Sequence, residues 1–135
     1  MSWNATVLDP DKSSLYHRVG GHDAIAGFVD DLLPRLTGDP WLAVYWKGKS
    51  TDSMRRDRQL LIEFLCMAFG GPSGYLGRDM KTSHEGLGIT EEEWDIFARH
   101  TADSLAKLNV PEPERAEIFA AAESLKGDIV EVPRG

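Results

Sequence analysis

Apolar residues recur at three- and four-residue steps along most of this chain, and each such run is closed by glycine or proline. From Ala24 to Leu36 they fall at Ile25, Phe28, Val29, Leu32, Leu33 and Leu36, which is one face of a helix. Gly20 and Gly21 separate this run from a shorter segment, SSLYHRV, and Gly38, Asp39 and Pro40 close it. Pro34 lies inside the run, where it removes a backbone hydrogen bond, so a kink or a tightened last turn is expected there. A second periodic stretch, from about Thr51 to Phe69, places Met54, Leu61, Phe64, Leu65 and Ala68 on one stripe and Arg55, Arg56, Arg58 and Glu63 mostly on the other, and it stops at GGPSG. Thr90 followed by Glu93 has the form of a capping box, opening a helix whose stripe is Trp94, Phe97, Ala98, Thr101, Leu105 and Leu108. VPEPE breaks that helix, and a last one is expected from about Pro113 to Lys126 on Ile118, Phe119, Ala122 and Leu125.

No segment alternates as a strand would, and no internal repeat is present. The pattern predicts an all-α chain with four substantial helices in one domain over 1–135, flanked by extended tails over 1–13 and 127–135. At 135 residues one core is the expectation. The 15 Lys and Arg against 22 Asp and Glu, with no cluster of basic and aromatic residues, argue against nucleic acid as a partner. No run approaches the ~20 apolar residues needed to cross a bilayer, and the N-terminus has neither a basic start nor an apolar run, so a cytoplasmic location with no membrane partner is expected. The single cysteine, Cys66, excludes an internal disulfide and reads as a small buried thiol.

Chemistry narrows to one residue. Between the GGPSGYLG break and Thr90 there is room for only a turn or two of helix, and that segment carries Met80, His84, Leu87 and Ile89. His84 can be an ordinary imidazole satisfied by backbone or a functional ligand, and both readings stand at this point. His17, His22 and His100 form no pair or carboxylate cluster with metal-ligand spacing, and no Gly-x-Ser-x-Gly or Cys–His arrangement supports nucleophilic catalysis. A single imidazole facing apolar, aromatic helices is the composition of a haem pocket with one protein axial ligand.

LYHRVGGHDAIAGFVDDLLPRLTGDPWLAVYWKG followed by FGGPSGYLGRDMKTSHEGLGIT resembles the group I truncated haemoglobins in order and spacing, from Leu15 to about Leu108. The most specific pieces are Gly20-Gly21, Gly70-Gly71-Pro72, and Tyr75, Gly77, Met80 and Lys81 ahead of His84. The resemblance implies a shortened globin fold, a 2-over-2 helical sandwich around one haem b, with the helix bearing the iron ligand reduced to a turn. It implies His84 as the proximal ligand, with Met80, Leu87, Ile89 and Phe97 on that side of the ring. It sets Trp46 and Tyr45 against the other face and Met54, Tyr75 and Lys81 at the haem edge.

The sequence departs from the family on the distal side. Leu33 stands where many members have a tyrosine, Leu61 where a glutamine often assists, and Asp57 one helical turn before Leu61. Losing both donors costs a polar gas ligand ~1–3 kcal/mol of hydrogen bonding unless Trp46, Tyr45 or Arg58 substitutes, or a protonated Asp57 does. The activity implied is reversible binding of O2, CO or NO, extending to nitric oxide dioxygenation with an unidentified reductase. Two other activities remain open: a haem redox enzyme acting on peroxide or nitrite, and a non-enzymatic gas sensor or haem carrier.

Overall fold

A computed structural model describes residues 14–72, 74–75 and 77–132; the tail expected over 1–13 lies outside them. Helix α1, Leu15–Val19, starts at a cap in which the Ser14 hydroxyl accepts from the His17 amide. It ends at Gly20, whose φ of 115° is left-handed and open to glycine at little cost. Helix α2, Gly21–Thr37, follows directly and buries Ile25, Phe28, Val29, Leu32 and Leu36. It runs through Pro34, and its end is tightened by a bond from the Asp39 amide to the Leu36 carbonyl at 3.2 Å.

After a 3-10 turn, Ala43–Trp46, helix α3 spans Thr51–Ala68, capped by Ser50. The five-residue α4, Met80–His84, is capped by Asp79, whose carboxylate accepts from the Thr82 amide at 2.7 Å. Helix α5, Glu91–Lys107, opens on the expected capping box of Thr90 and Glu93. Helix α6, Glu112–Ile129, continues three residues beyond Lys126, through Gly127 and Asp128, which the sequence pattern assigns to the tail. No strand occurs among the described residues, only an isolated parallel bridge between Thr90 and Val132.

Helix α2 is the hub: it packs on α1, α3, α5 and the 3-10 turn, while α6 packs on α1, α4 and α5. The seam between α1 and α3 requires a glycine, because a Cβ on Gly71 would run into the ring of Tyr16. The Tyr16 amide donates to the Phe69 carbonyl at 2.8 Å, holding α1 against the end of α3.

Helix α3 differs from expectation in which face it buries. Ile62 and Cys66, each 1% exposed, are its innermost residues and join Phe69 in the core, whereas Met54, Leu61 and Leu65 are half-buried and Ala68 is exposed. Of the expected stripe Phe64 is buried, and Leu61 and Leu65 pack on the core with part of their surface, so the apolar surface of α3 is wider than one stripe. On α5, Leu108 is likewise exposed, while Ser104 is fully buried.

The buried Ser104 is part of a polar knot joining α2 to α5. Asp31 accepts from Ser104 Oγ at 2.5 Å, Arg35 Nε at 2.9 Å and Lys107 Nζ at 3.0 Å. The Ser104 hydroxyl, with Lys107 and Arg35, holds the Asp31 carboxyl well below the usual carboxylate range. A carboxyl depressed on folding contributes its full stability above the unfolded value of ~3.9 and loses it as pH falls toward the folded value. Asp31→Ala leaves the Ser104 hydroxyl without its acceptor and is expected to cost ~1–3 kcal/mol. Thermal melts at neutral pH should show that loss, and the variant should be less sensitive than the parent to acid below about pH 4.

Candidate functional site

The short helix α4 positions His84 through its own backbone. The imidazole Nδ1 lies 2.8 Å from the Met80 carbonyl oxygen, one turn earlier, and 3.0 Å from Ser83 Oγ. A carbonyl can only accept, so Nδ1 donates this bond, and in the neutral imidazole Nε2 is the nitrogen that keeps a lone pair. None of the other histidines shares that arrangement. His17 is exposed and bonded to Ser14, His22 is exposed 3.8 Å from both Asp23 and Glu63, and His100 Nε2 is held by Asp39 at 2.8 Å. The His100 bond, joined by the Trp41 and Leu42 amides, keeps the Asp39 carboxyl below its ordinary range and fixes the corner between α2 and the 3-10 turn.

Helix α3 carries a second row of partly covered residues. Met54, Arg58, Leu61 and Leu65 follow one another at four-, three- and four-residue steps, and all are half-buried. The α3–α4 pair is not among the main helix packings, since α3 rests on α2 and α4 on α6. Leu33, one turn after the buried Val29, flanks the buried stripe of α2 and is half-buried as well. Leu33, Tyr45, Trp46, Leu61 and Phe97 each pack on the core with part of their surface and leave the remainder uncovered. An open recess of about 540 Å³ is lined by Trp46 and Met54 together with Thr37, Ala43, Val44, Lys47 and Lys49.

The remaining candidates are distributed around these two elements. Phe97 leans on Trp94 with ring centroids 5.3 Å apart. Tyr75 sits edge-on against Phe64 of α3, and its hydroxyl donates to the Arg78 carbonyl, so the loop before α4 folds back on α3. Met80 and Ile89 are half-buried, while Lys81 and Leu87 are exposed.

Three of the four polar candidates are already engaged. Tyr45 donates its hydroxyl to Glu93 Oε1 at 2.7 Å, and burial, with that carboxylate, pushes its pKa up to about 12. Arg58 grips Asp30 through two bonds of 2.6 and 2.9 Å. Asp57 pairs with Lys49, rather than with the neighbouring arginines that the sequence sets beside it. The indole N–H of Trp46 has no hydrogen-bond partner among the described residues.

Glu131 is the residue that sequence reasoning missed. Its carboxylate accepts from the amides of Gly86 at 3.0 Å and Gly88 at 2.8 Å, and these amides hold its carboxyl below the usual range. Its own amide and that of Val132 donate to the Ile89 carbonyl at 2.9 and 3.1 Å. The tail is therefore docked on the loop that follows His84. The only sign in the sequence is the brief apolar run in DIVEV, too short to separate a docked segment from a loose end.

Residues 14–131 match the model of the bacterial-like globin family. A group 1 truncated haemoglobin of Mycolicibacterium paratuberculosis is 34% identical over 119 residues, which are 88% of this chain and 85% of that protein. The chain belongs to the group 1 truncated haemoglobins. The solved structure of THB1 from Chlamydomonas reinhardtii is 31% identical and superposes with a TM-score of 0.73 over 90% of this chain and 98% of that one. The truncated haemoglobin of Tetrahymena pyriformis in its Fe(III) form is 23% identical, has a TM-score of 0.80 and covers 87% and 98%. The fold of this truncated haemoglobin is thus the 2/2 globin fold, and its family implies haem-based gas binding.

The donor chemistry of this globin fits that group. Among the described residues no cluster of three or more His, Cys, Asp or Glu could cage a bare metal ion. An iron that brings its own macrocyclic nitrogens needs only one protein ligand and an apolar cleft. Cys66 does not compete for the role, because it is buried in the core and burial raises its thiol pKa. No helix of the described residues is long and apolar enough to cross a membrane.

Proposed function

We propose that this globin holds one haem b through His84 Nε2 and binds diatomic gases against an unusually apolar distal wall. The observation that carries the reading is the bond from His84 Nδ1 to the Met80 carbonyl, which fixes ring orientation and tautomer and leaves Nε2 as the donor. Haem iron supplies an open coordination position for O2, CO or NO.

Met80, Leu87, Ile89 and Phe97 line the His84 side of the ring. Leu33, Leu61 and Trp46 form the opposite wall, and Met54, Tyr75 and Lys81 border the edge. With Tyr45 given to Glu93, Arg58 to Asp30 and Asp57 to Lys49, Trp46 is the candidate donor that remains. Conversion of nitric oxide with oxygen to nitrate suits a wall that admits apolar gases. That reaction consumes one electron per turnover, so a reductase must restore the ferrous iron. No observation favours the peroxide or nitrite reading, since the two groups that would manage protons and charge, Asp57 and Arg58, are held in ion pairs.

Absorption spectra of the purified protein in ferric, ferrous and carbonyl forms test the reading. Haem bands that respond to reduction and to carbon monoxide are expected. A colourless protein that takes up no haem would overturn it. Rapid mixing of nitric oxide with the oxygenated protein then tests the dioxygenase activity through nitrate formation.

A further inference from the structure

Helix α4 has five residues and makes its principal helix packing with α6 alone. A helix that short is not stable by itself, so its place is set by what clamps its ends. Asp79 caps the first turn. Beyond His84 the chain passes through Gly86 and Gly88, with φ of 85° and 68°, conformations in which consecutive amides can converge on an anion. The two carboxylate oxygens of Glu131 take one amide each, at 3.0 and 2.8 Å. A carbonyl bond at Ile89 ties the same residue down through its own backbone.

We propose that Glu131 is a positioning residue for His84: by bracing the two glycines that follow the imidazole, it holds the ring in the orientation in which it would ligate haem iron. This rests on His84 being the iron ligand. Without the carboxylate, two left-handed glycines become free hinges directly after the ligand. The segment after His84 is then held by backbone bonds alone, from the Leu87 amide to the His84 carbonyl at 3.2 Å and from the 131 and 132 amides to the Ile89 carbonyl.

The test compares Glu131→Ala and Glu131→Gln with the parent as haem-loaded proteins, with Arg18→Ala as a stability control. Arg18→Ala removes the link from α1 to Glu114 and Glu117 of α6 and leaves the Glu131 carboxylate and its two amides in place. In Glu131→Ala the iron–histidine stretching band of the ferrous protein should shift or broaden. Haem loss should quicken about tenfold, and the Gly86 and Gly88 amides should exchange faster with solvent. Glu131→Gln, which keeps one carbonyl oxygen, should fall between parent and alanine variant. Arg18→Ala should lower the melting midpoint yet leave the band in place. A band and haem-loss rate at parental values in Glu131→Ala, or moved equally by Arg18→Ala, would overturn the proposal. His84→Ala separates the two ideas: an unchanged haem spectrum there removes the ligand assignment itself, whereas a lost spectrum beside an unaffected Glu131→Ala removes only the positioning role.

Discussion

His84→Ala abolishes stable haem binding, or leaves a loosely held haem that added imidazole restores. The reason is that the other histidines are engaged elsewhere: His17 is bonded to Ser14, His100 to Asp39, and His22 is exposed in the first turn of α2 beside Asp23 and Glu63. A gel-filtered sample of the variant should retain at least about tenfold less haem than the parent, the equivalent of ~1.4 kcal/mol or more of binding. Imidazole at millimolar concentration should bring back the parental bands, because the cavity left by the side chain matches the molecule removed. If the variant keeps its full haem complement and an unaltered spectrum, the iron has another ligand.

Leu33→Tyr slows oxygen release by around a factor of ten, or ~1.4 kcal/mol for one hydrogen bond to a partly charged acceptor. Leu33 flanks the buried stripe of α2 and is only half-buried, so a phenol can be accommodated by turning into the uncovered side. Carbon monoxide develops far less charge and should leave at nearly the parental rate. Flash photolysis and stopped-flow release of both gases discriminate the outcomes. Equal slowing would mean that the larger side chain merely obstructs the exit. A parent that already releases oxygen slowly would mean that a donor is present, and Trp46 is then the residue to replace.

Helical periodicity made the core of α2 legible almost completely: of its six apolar stripe positions, only Leu33 is not fully buried. The Thr90 and Glu93 capping box was equally plain, since both halves lie within four residues. On α3 the burial of Phe64 was legible and that of Ile62 and Cys66 was not, because the helix is apolar over more than one stripe and periodicity alone cannot say how much of it meets protein. Met54 and Leu61, half-buried on the expected stripe, are the two of its residues that the proposed site uses. His84 could be singled out from its isolation among glycines, but its tautomer could not, because that depends on a carbonyl four residues back. The engagements of Tyr45, Arg58 and Asp57 were invisible for the same reason: their partners Glu93, Asp30 and Lys49 are brought near by folding. Glu131 was out of reach altogether, being separated by 45 positions from the amide it braces.

That separation orders events during synthesis. A growing chain folds from its N-terminal end, with local contacts forming before distant ones. Helices α2 and α3 can pair while the residues beyond α5 are still being added. The His84 turn at that stage has its Asp79 cap but not its second clamp, and it gains the latter only once residues 129–132 have left the ribosome. The α2–α3 pair can thus form before the turn that carries His84 receives its second clamp, so the order of the chain is also an order of assembly.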